Sequence, residues 1–339
     1  MSQKLNWGII GWGNISKTVA NCFKDADFCQ LGTIASKTKK YFSIVGDNNN
    51  ISFLNNYEEL INNNSIDAIY IGTTNDSHKD IILKSAQARK HIICEKPACL
   101  SSNDFQECVE VIKSKNIFFA EGIMYLHHPQ ILKAIDIIKQ GEIGHVTKIK
   151  SSFGFRIGRK FFFIELKKID RTSRLFNPKL GGGVINDLGC YPVTAALLFS
   201  DLENSGNEIV KSTFTLNRDK FGIDETGTAN LLFKNDIVAN LTISIRKKLI
   251  DSIEVFGNLG SLRILNPWAN MQKRSKILLK TNKKSFELNV PIKKNIYSLQ
   301  LENVAKNIID KKKEIDFPCV NINKTLKYLK ILDNWKLQI

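Results

Sequence analysis

The sequence lacks any long apolar run. Across its 339 residues no stretch approaches the roughly 18 consecutive apolar residues that a membrane helix needs, and residues 1–6 are polar, unlike a signal peptide. The seven cysteines are odd in number and scattered, and no Cys-x-x-Cys pair is present, which disfavours a disulfide framework and a structural zinc site. We therefore expect a cytoplasmic protein that binds neither a membrane nor a metal.

Acidic residues are few relative to basic ones. The chain has 33 Asp and Glu against 49 Lys and Arg, a formal charge of +16. The basic residues form dispersed pairs that are not interleaved with aromatic residues, and no zinc-finger or RNP-like pattern is present. A solvated basic surface is therefore favoured over specific nucleic-acid binding, although a general attraction for anionic ligands is expected.

The first 121 residues alternate short apolar runs with amphipathic stretches. The runs predict strands at residues 7–11, 28–35, 51–54, 68–72, 91–94 and 117–121. The stretches between them predict helices at residues 15–23, 57–61, 80–88 and 105–112, with Ser77 and Ser101 at N-cap positions. Short links between the two kinds of element imply right-handed βαβ units and a parallel sheet.

The pattern changes after residue 121. Helical stretches at 130–139, 181–199 and 323–337 accompany a long strand at 146–158 and a meander of short alternating runs between 209 and 290. The adjacent histidines before residue 130 are interpreted as the start of a helix rather than a metal pair. We predict an α/β protein with a doubly wound parallel sheet in residues 1–122. An α+β domain with an open, mostly antiparallel sheet is predicted in 123–339, its helix at 323–338 packing back on the first domain.

A glycine-rich loop follows the first predicted strand. Gly11-Trp12-Gly13-Asn14-Ile15-Ser16 matches Gly-x-Gly-x-x-Ser between a strand and a helix, the context that phosphate binding requires. Gly11 permits the tight turn, Gly13 allows a pyrophosphate to approach the backbone, and the helix N-terminus supplies N–H groups. We predict that Gly11, Trp12, Gly13, Asn14 and Ile15 bind a dinucleotide; the alternative is a glycine-rich turn without a ligand.

The end of the second strand predicts which dinucleotide binds. NAD-selective sites usually place Asp or Glu here, but this chain has Ser36 and Lys37, followed by Lys39 and Lys40. A hydroxyl and several cations suit a 2′-phosphate. We predict that NADP(H) is preferred, with NAD(H) as the alternative; the lysines could instead only add to the basic surface.

The fifth strand ends in Glu95-Lys96-Pro97. Ligands of open parallel sheets bind beyond the carboxyl ends of the strands, so Lys96 lies where a nicotinamide ring is expected. A lysine there can hold an alkoxide or carbonyl oxygen and can lower the pKa of a neighbouring acid. Alone, this tripeptide is more often a strand end than a site.

Six ordered motifs give the chain a family resemblance. It resembles the glucose-fructose oxidoreductase, inositol dehydrogenase and rhizopine-catabolism (Gfo/Idh/MocA) oxidoreductases over nearly its whole length. Its Asp-x-Gly-x-Tyr pattern resembles the branch that holds glucose-fructose oxidoreductase, NADP-dependent D-xylose 1-dehydrogenase and dihydrodiol dehydrogenase. The motifs are the loop at 11–16, Thr73-Thr74-Asn75-Asp76-Ser77-His78, Glu95-Lys96-Pro97, and the segments 121–125, 141–144 and 181–192.

The resemblance implies a Rossmann domain followed by a domain whose open sheet joins copies, here as a homodimer or homotetramer. It also implies that Lys96 contacts both the nicotinamide ribose and the substrate, and that the Lys96–Pro97 bond is cis. The cofactor would further be lined by Thr73, Thr74, Asn75, His78 and the backbone of Glu95.

The second domain supplies the other catalytic candidates. Asp187 and Tyr191 are four residues apart, so one helical turn would place them on one face. The resemblance makes Tyr191 the acid/base, a role that requires its pKa to move down from about 10. Asp187 would bind a substrate hydroxyl, while Tyr125 and Arg156 are further substrate contacts. We expect residues 159–174 to line or cover the pocket.

The leading hypothesis is therefore an NADP(H)-dependent oxidoreductase acting on CH–OH groups. Its substrate would be a sugar, a nucleotide-linked sugar or a cyclic polyol. Two alternatives stay open, because a fold can host several functions. One is a catalytically silent dinucleotide-binding sensor or scaffold. The other is an enzyme that retains NAD(P) and uses transient oxidation for elimination or glycoside cleavage.

Overall fold

Two compact units make up the chain. The computed structural model describes residues 4–37, 51–161, 164–167, 170–202, 208–268 and 275–338. The first unit comprises residues 1–127 and 293–327, and the second comprises residues 128–292 and 328–339. The chain passes from the first unit to the second after residue 127, five residues beyond the boundary predicted after residue 122. Residues 293–327, however, belong to the first unit and not to the second domain as expected, and the division falls within the predicted C-terminal helix.

The strands follow the predicted runs closely. Within the described ranges they are Leu5–Ile10 (β1), Cys29–Ala35 (β2), Ser52–Leu54 (β3), Ala68–Ile71 (β4), His91–Glu95 (β5), Phe119–Gly122 (β6), Val146–Gly154 (β7), Arg159–Phe161 (β8), Ile164–Lys167 (β9), Ile209–Arg218 (β10), Asp224–Phe233 (β11), Val238–Ser244 (β12), Ser252–Gly257 (β13), Gly260–Leu265 (β14), Lys276–Thr281 (β15) and Ser285–Asn289 (β16). The helices are Asn14–Cys22 (α1), Tyr57–Ile61 (α2), His78–Gln87 (α3), Ser102–Ser114 (α4), Pro129–Lys139 (α5), Cys190–Ser200 (α6), Ile296–Ile309 (α7) and Ile322–Lys336 (α8).

The first unit holds the predicted doubly wound sheet. Its six strands run in the order β3-β2-β1-β4-β5-β6, and every neighbouring pair is parallel. Strand order reverses at β1, between β2 and β4, which is the switch point where such sheets bind ligands beyond the strand ends. All four residues of β4 are fully buried, as expected of a strand covered on both faces.

Helix starts in the chain show which cap signals were correct. Ser101 caps α4, since its Oγ accepts a hydrogen bond from Asp104 N at 3.1 Å. His128 caps α5 by accepting from Gln130 N at 3.0 Å, which confirms the predicted helix start. Ser77 occupies the N-cap position of α3, but its hydroxyl contacts preceding residues instead of the helix.

The second unit contains the predicted open sheet. Its eight strands run β10-β11-β12-β7-β13-β14-β15-β16, and all pairs are antiparallel except β12 with β7. Every residue of α6 is buried, and this helix packs on β7, β12 and β13. The sequence predicted none of the strands β8, β9 and β15, nor helix α7. In the part of the chain that the structure describes, no helix has the length and apolar character needed to cross a membrane.

Candidate functional site

The glycine loop after β1 has one glycine that the fold requires. Gly11 has φ +93°, and its N–H donates to Ala35 O at 2.9 Å. A Cβ on Gly11 would lie 2.8 Å from Gly72 O and 2.9 Å from Thr73 Cγ2. Gly11 is therefore needed for both its backbone angle and the close approach of the strand end after β4.

Gly13, in contrast, is not required by the packing of the chain. It is exposed at the N-cap of α1 with φ −77° and ψ −179°, angles that any residue adopts. The nearest atom to a Cβ there, Gly72 O, would be 3.9 Å away. No side chain among the described residues caps α1. Open space beside uncapped helix N–H groups fits the phosphates of a dinucleotide, whose binding at this loop stays a prediction.

The strand end after β2 contains Ser36 and Lys37. Ser36 is buried, and its N–H donates to Leu54 O at 2.9 Å, which ties this end to β3. The Lys37 ammonium lies 4.9 Å from the ring centroid of Tyr57, a cation–π contact that sequence reasoning missed. Lys39 and Lys40 lie outside the described residues.

His78 connects two loops at the carboxyl edge of the sheet. Its Nδ1 lies 2.8 Å from Pro97 O and its Nε2 lies 3.3 Å from Thr73 O. The side chain is fully buried, and this burial lowers the pKa of His78, so the ring is neutral at pH 7. A neutral imidazole has one N–H and therefore donates to one of these carbonyl oxygens. The shorter contact, from Nδ1 to Pro97 O, ties His78 to the loop after β5, and the side chain does not project to solvent.

The remaining residues of that motif differ in exposure. Ser77 Oγ lies 2.7 Å from Thr73 Oγ1 and donates to Thr74 O at 2.8 Å. Asn75 is buried, whereas Thr73 and Thr74 are partly exposed. The two threonines thus keep surface available for a ligand.

Lys96 lies in a loop that is held from both sides. The Lys96–Pro97 bond is cis, and Lys96 itself is half-buried. Before it, Glu95 Oε1 accepts from the Tyr70 hydroxyl and Oε2 accepts from Lys96 N at 3.3 Å. Burial, together with the Glu95 charge, raises the pKa of Tyr70 well above its usual value, so the phenol keeps its proton and donates.

Glu121 holds the same loop from the other side. Its Oε1 accepts from Ala98 N at 2.7 Å, and its Oε2 accepts from Thr325 Oγ1 at 2.9 Å. The sequence signal was present, because Glu121 opens one of the six motifs, but no role had been assigned to it. Two buried carboxylates thus hold the backbone of the loop that carries Lys96, Glu95 at Lys96 N and Glu121 at Ala98 N.

The second unit contains the other two catalytic candidates. Asp187 lies in the π-helical turn Ile185–Gly189, which continues directly into α6, and Tyr191 is the second residue of that helix. Asp187 and Tyr191 are both buried, and continuous helix separates them by about one turn. The Tyr191 ring packs edge-on against Phe153 at 5.2 Å between centroids and lies 5.7 Å from Trp268.

The two predicted substrate contacts differ from each other. Tyr125 is fully buried in the 3₁₀ turn Met124–His127, so its side chain has no exposed surface, and its contact with a substrate stays a prediction. Arg156 is exposed just after β7. In the segment expected to cover the pocket, β8 and β9 form an antiparallel pair. Residues 162–163 and 168–169 lie outside the described residues.

Two family models match the chain. The oxidoreductase family model with an NAD-binding Rossmann fold matches residues 5–122, and the GFO/IDH/MocA C-terminal domain model matches residues 131–263. The chain belongs to the Gfo/Idh/MocA oxidoreductase family. This confirms the resemblance inferred from the motifs.

Relatives in the family include dehydrogenases. An uncharacterized oxidoreductase of Rhizobium meliloti is 31% identical over 212 residues, which are 62% of this chain and 59% of that protein. A trans-1,2-dihydrobenzene-1,2-diol dehydrogenase of Bos taurus is 25% identical over 288 residues, 84% of this chain and 80% of the relative.

Solved structures share the fold over nearly the full chain. A 3-ketoreductase from Actinomadura kijaniata, in complex with TDP-benzene and NADP, superposes with a TM-score of 0.82 at 18% identity, covering 99% of this chain and 98% of the other. An aldose-aldose oxidoreductase from Caulobacter crescentus, complexed with glycerol, gives a TM-score of 0.83 at 22% identity, covering 98% and 96%. The fold is thus shared by proteins of low sequence identity.

Proposed function

We propose that this Gfo/Idh/MocA protein is an NADP(H)-dependent oxidoreductase. It would transfer a hydride between nicotinamide and a hydroxyl or carbonyl carbon of a sugar, a nucleotide-linked sugar or a cyclic polyol. One observation carries the proposal. Lys96 follows β5 at the ligand-binding edge of a doubly wound sheet, in a loop that His78 and Glu121 hold in place.

When bound, the nicotinamide ring accepts or supplies the hydride at its C4. In the oxidation direction, Tyr191 as the phenolate would take the proton of the substrate hydroxyl on Oη as the carbonyl forms. In reduction, the neutral phenol would return that proton to the substrate oxygen. Lys96 Nζ stabilises the negative charge that develops on the substrate oxygen. The Asp187 carboxylate accepts a hydrogen bond from a neighbouring substrate hydroxyl, which orients the reacting carbon.

The substrate class is supported by the relatives. The 3-ketoreductase was crystallised with TDP-benzene and the aldose-aldose oxidoreductase with glycerol, and the Bos taurus relative is a diol dehydrogenase. A nucleotide, a polyol and a diol point to a hydroxyl-rich substrate. As the family resemblance implies, the open sheet of the second unit would join copies into a dimer or tetramer, which light scattering on eluting protein would measure.

The preference for NADP(H) depends on Ser36 and Lys37. Ser36→Asp combined with Lys37→Ala places a carboxylate where NAD-selective sites have one and removes the cation that follows it in the sequence. We expect the dissociation constant for NADPH to rise at least tenfold and that for NADH to fall. Fluorescence titration, with Trp12 as a reporter in the phosphate loop, would measure both constants.

A matched control is the pair Ser114→Asp and Lys115→Ala. It makes the same charge change at the end of α4, far along the chain from the glycine loop, and should leave both constants unaltered. If folded, cofactor-free wild-type protein binds neither nucleotide, the oxidoreductase proposal is wrong. If it binds NADPH but turns over no substrate, the catalytically silent dinucleotide-binding sensor becomes the better account.

A further inference from the structure

An ion pair joins Asp187 to a residue that no motif identified. Arg174 begins the 3₁₀ turn Arg174–Phe176, and its Nη2 lies 2.8 Å from Asp187 Oδ1. The Asp187 side chain is 10% exposed and that of Arg174 is 48% exposed. A nearly buried carboxylate therefore receives a charge-assisted hydrogen bond from a guanidinium at the surface.

The glycine run before Asp187 seats the Arg174 turn. Gly182 N donates to Asn177 O at 3.0 Å, and Gly183 N donates to Leu175 O at 2.9 Å. A Cβ on Gly182 would lie 2.7 Å from the carbonyl oxygens of both Arg174 and Leu175. No side chain fits between the two backbones, so glycine is required for the turn to lie this close.

The backbone that carries Asp187 is fixed independently. Asp187 N donates to Gly183 O at 3.1 Å, and Asp224 Oδ2 accepts from Ile185 N at 2.7 Å. A Cβ on Gly183, which has φ +108°, would lie 2.1 Å from Asp224 Oδ1. The main chain of the π-helical turn is thus held by Asp224, and the side chain of Asp187 is held by Arg174.

We propose that Arg174 is a positioning residue that aims the Asp187 carboxylate at the substrate hydroxyl. The glycine run places the Arg174 turn where it can do so. This inference rests on the proposed function, because it gives Asp187 a substrate to hold. Because the Asp187 carboxylate is nearly buried, the loss of a purely structural ion pair would lower stability and leave turnover unchanged. A positioning pair would affect turnover at unchanged stability.

Kinetics of Arg174→Ala test the inference. A carboxylate displaced by about 1 Å can cost on the order of 100-fold in rate, so we expect kcat/KM for the hydroxyl substrate to fall 10- to 100-fold. The dissociation constant for NADPH and the thermal midpoint should stay close to wild type. Arg174→Lys keeps the charge but loses the planar fork, so it should recover only part of the loss. Guanidinium ion at millimolar concentration should partly rescue Arg174→Ala.

The matched control is Arg263→Ala. Arg263 pairs with Glu254 at 2.7 Å in the same unit, with side chains 34% and 22% exposed, but lies on the sheet. Its kcat/KM should equal wild type. A double-mutant cycle with Asp187→Asn tests whether Arg174 acts through Asp187. If it does, the variant that combines Arg174→Ala with Asp187→Asn should be no slower than Asp187→Asn alone.

Three results would overturn the inference. Arg174→Ala could keep more than half of the wild-type kcat/KM. Alternatively, kcat/KM of the double variant could fall by the product of the two single-variant factors. In both cases the wild type is active, so the proposed function stands and only the positioning role fails. If the wild type binds NADPH but oxidises or reduces nothing in a panel of sugars, nucleotide sugars and polyols, the proposed function fails and the positioning role fails with it.

Discussion

Two glycines of the phosphate loop should respond in opposite ways to the same substitution. Gly13→Ala adds a methyl group on the open side of the loop, where the nearest protein atom would be 3.9 Å away. Gly11→Ala adds it at φ +93° and 2.8 Å from Gly72 O. The first change should therefore affect the ligand and the second should affect the fold.

The magnitudes follow from the backbone angles. Replacing Gly13 reduces the freedom of the unfolded chain, which stabilises by about 0.4–1 kcal/mol, and weakens an N-cap by about the same amount. Its net effect on the free energy of unfolding should be near zero. Replacing Gly11 should cost about 1–3 kcal/mol for a side chain at this angle, with the clash against the carbonyl in addition.

Two assays separate the effects. Thermal unfolding without nucleotide should show Gly13→Ala at the wild-type midpoint and Gly11→Ala well below it. Titration with NADPH should show that Gly13→Ala raises the dissociation constant at least tenfold, about 1.4 kcal/mol. Wild-type affinity in Gly13→Ala would refute the reasoning, because the phosphates would then not lie on the open side of Gly13.

Further predictions concern acid stability and catalysis. Burial lowers the pKa of His127 and of His128 to about 4, whereas an unfolded histidine has a pKa near 6.5. The unfolded chain therefore binds more protons between these values, and the free energy of unfolding should fall as the pH drops from 6.5 toward 4, by at most about 1.4 kcal/mol per pH unit for each histidine. Equal urea midpoints at pH 7 and pH 5 would contradict this. Tyr191→Phe keeps the ring packed on Phe153 and Trp268, so kcat should fall on the order of 100-fold or more with the thermal midpoint retained. A kcat within twofold of wild type would exclude Tyr191 as the acid/base.

Local signals were enough to predict the first sheet. The buried parallel strands are short apolar runs, and the loop after β1 combines two glycines with a helix start, so each element carries its own pattern. The sequence of helix α7 also carries a local signal for a helix. Asn295 is its N-cap, and buried apolar residues recur at helical spacing at 301, 304, 305 and 308. No local pattern, however, could show that helix α7 belongs to the first unit and not to the second. Ser298 Oγ donates to Cys22 O at 3.0 Å, a contact between residues 276 positions apart.

Strand β15 was missed for a different reason. Ile277 and Leu279 are buried and alternate as a half-buried strand should, but Leu278 between them is also apolar and lies on the other face. An apolar residue on the less buried face removes the alternation on which the prediction depends. The open, mostly antiparallel sheet of the second unit was therefore predicted correctly, but with one strand too few.

At the candidate site, too, the sequence identified residues whose role only the structure shows. His78 was correctly placed in a motif, but sequence gives no direction to a side chain. Its ring is fully buried between Pro97 O and Thr73 O, so it links the loop after β4 to the loop that carries Lys96. A change at His78 should therefore disturb both loops together, whereas a change at Gly13 disturbs one. The family resemblance placed His78 in the lining of the cofactor site, but its fully buried side chain has no exposed surface, so His78 would affect a bound ligand only through the loops that it holds.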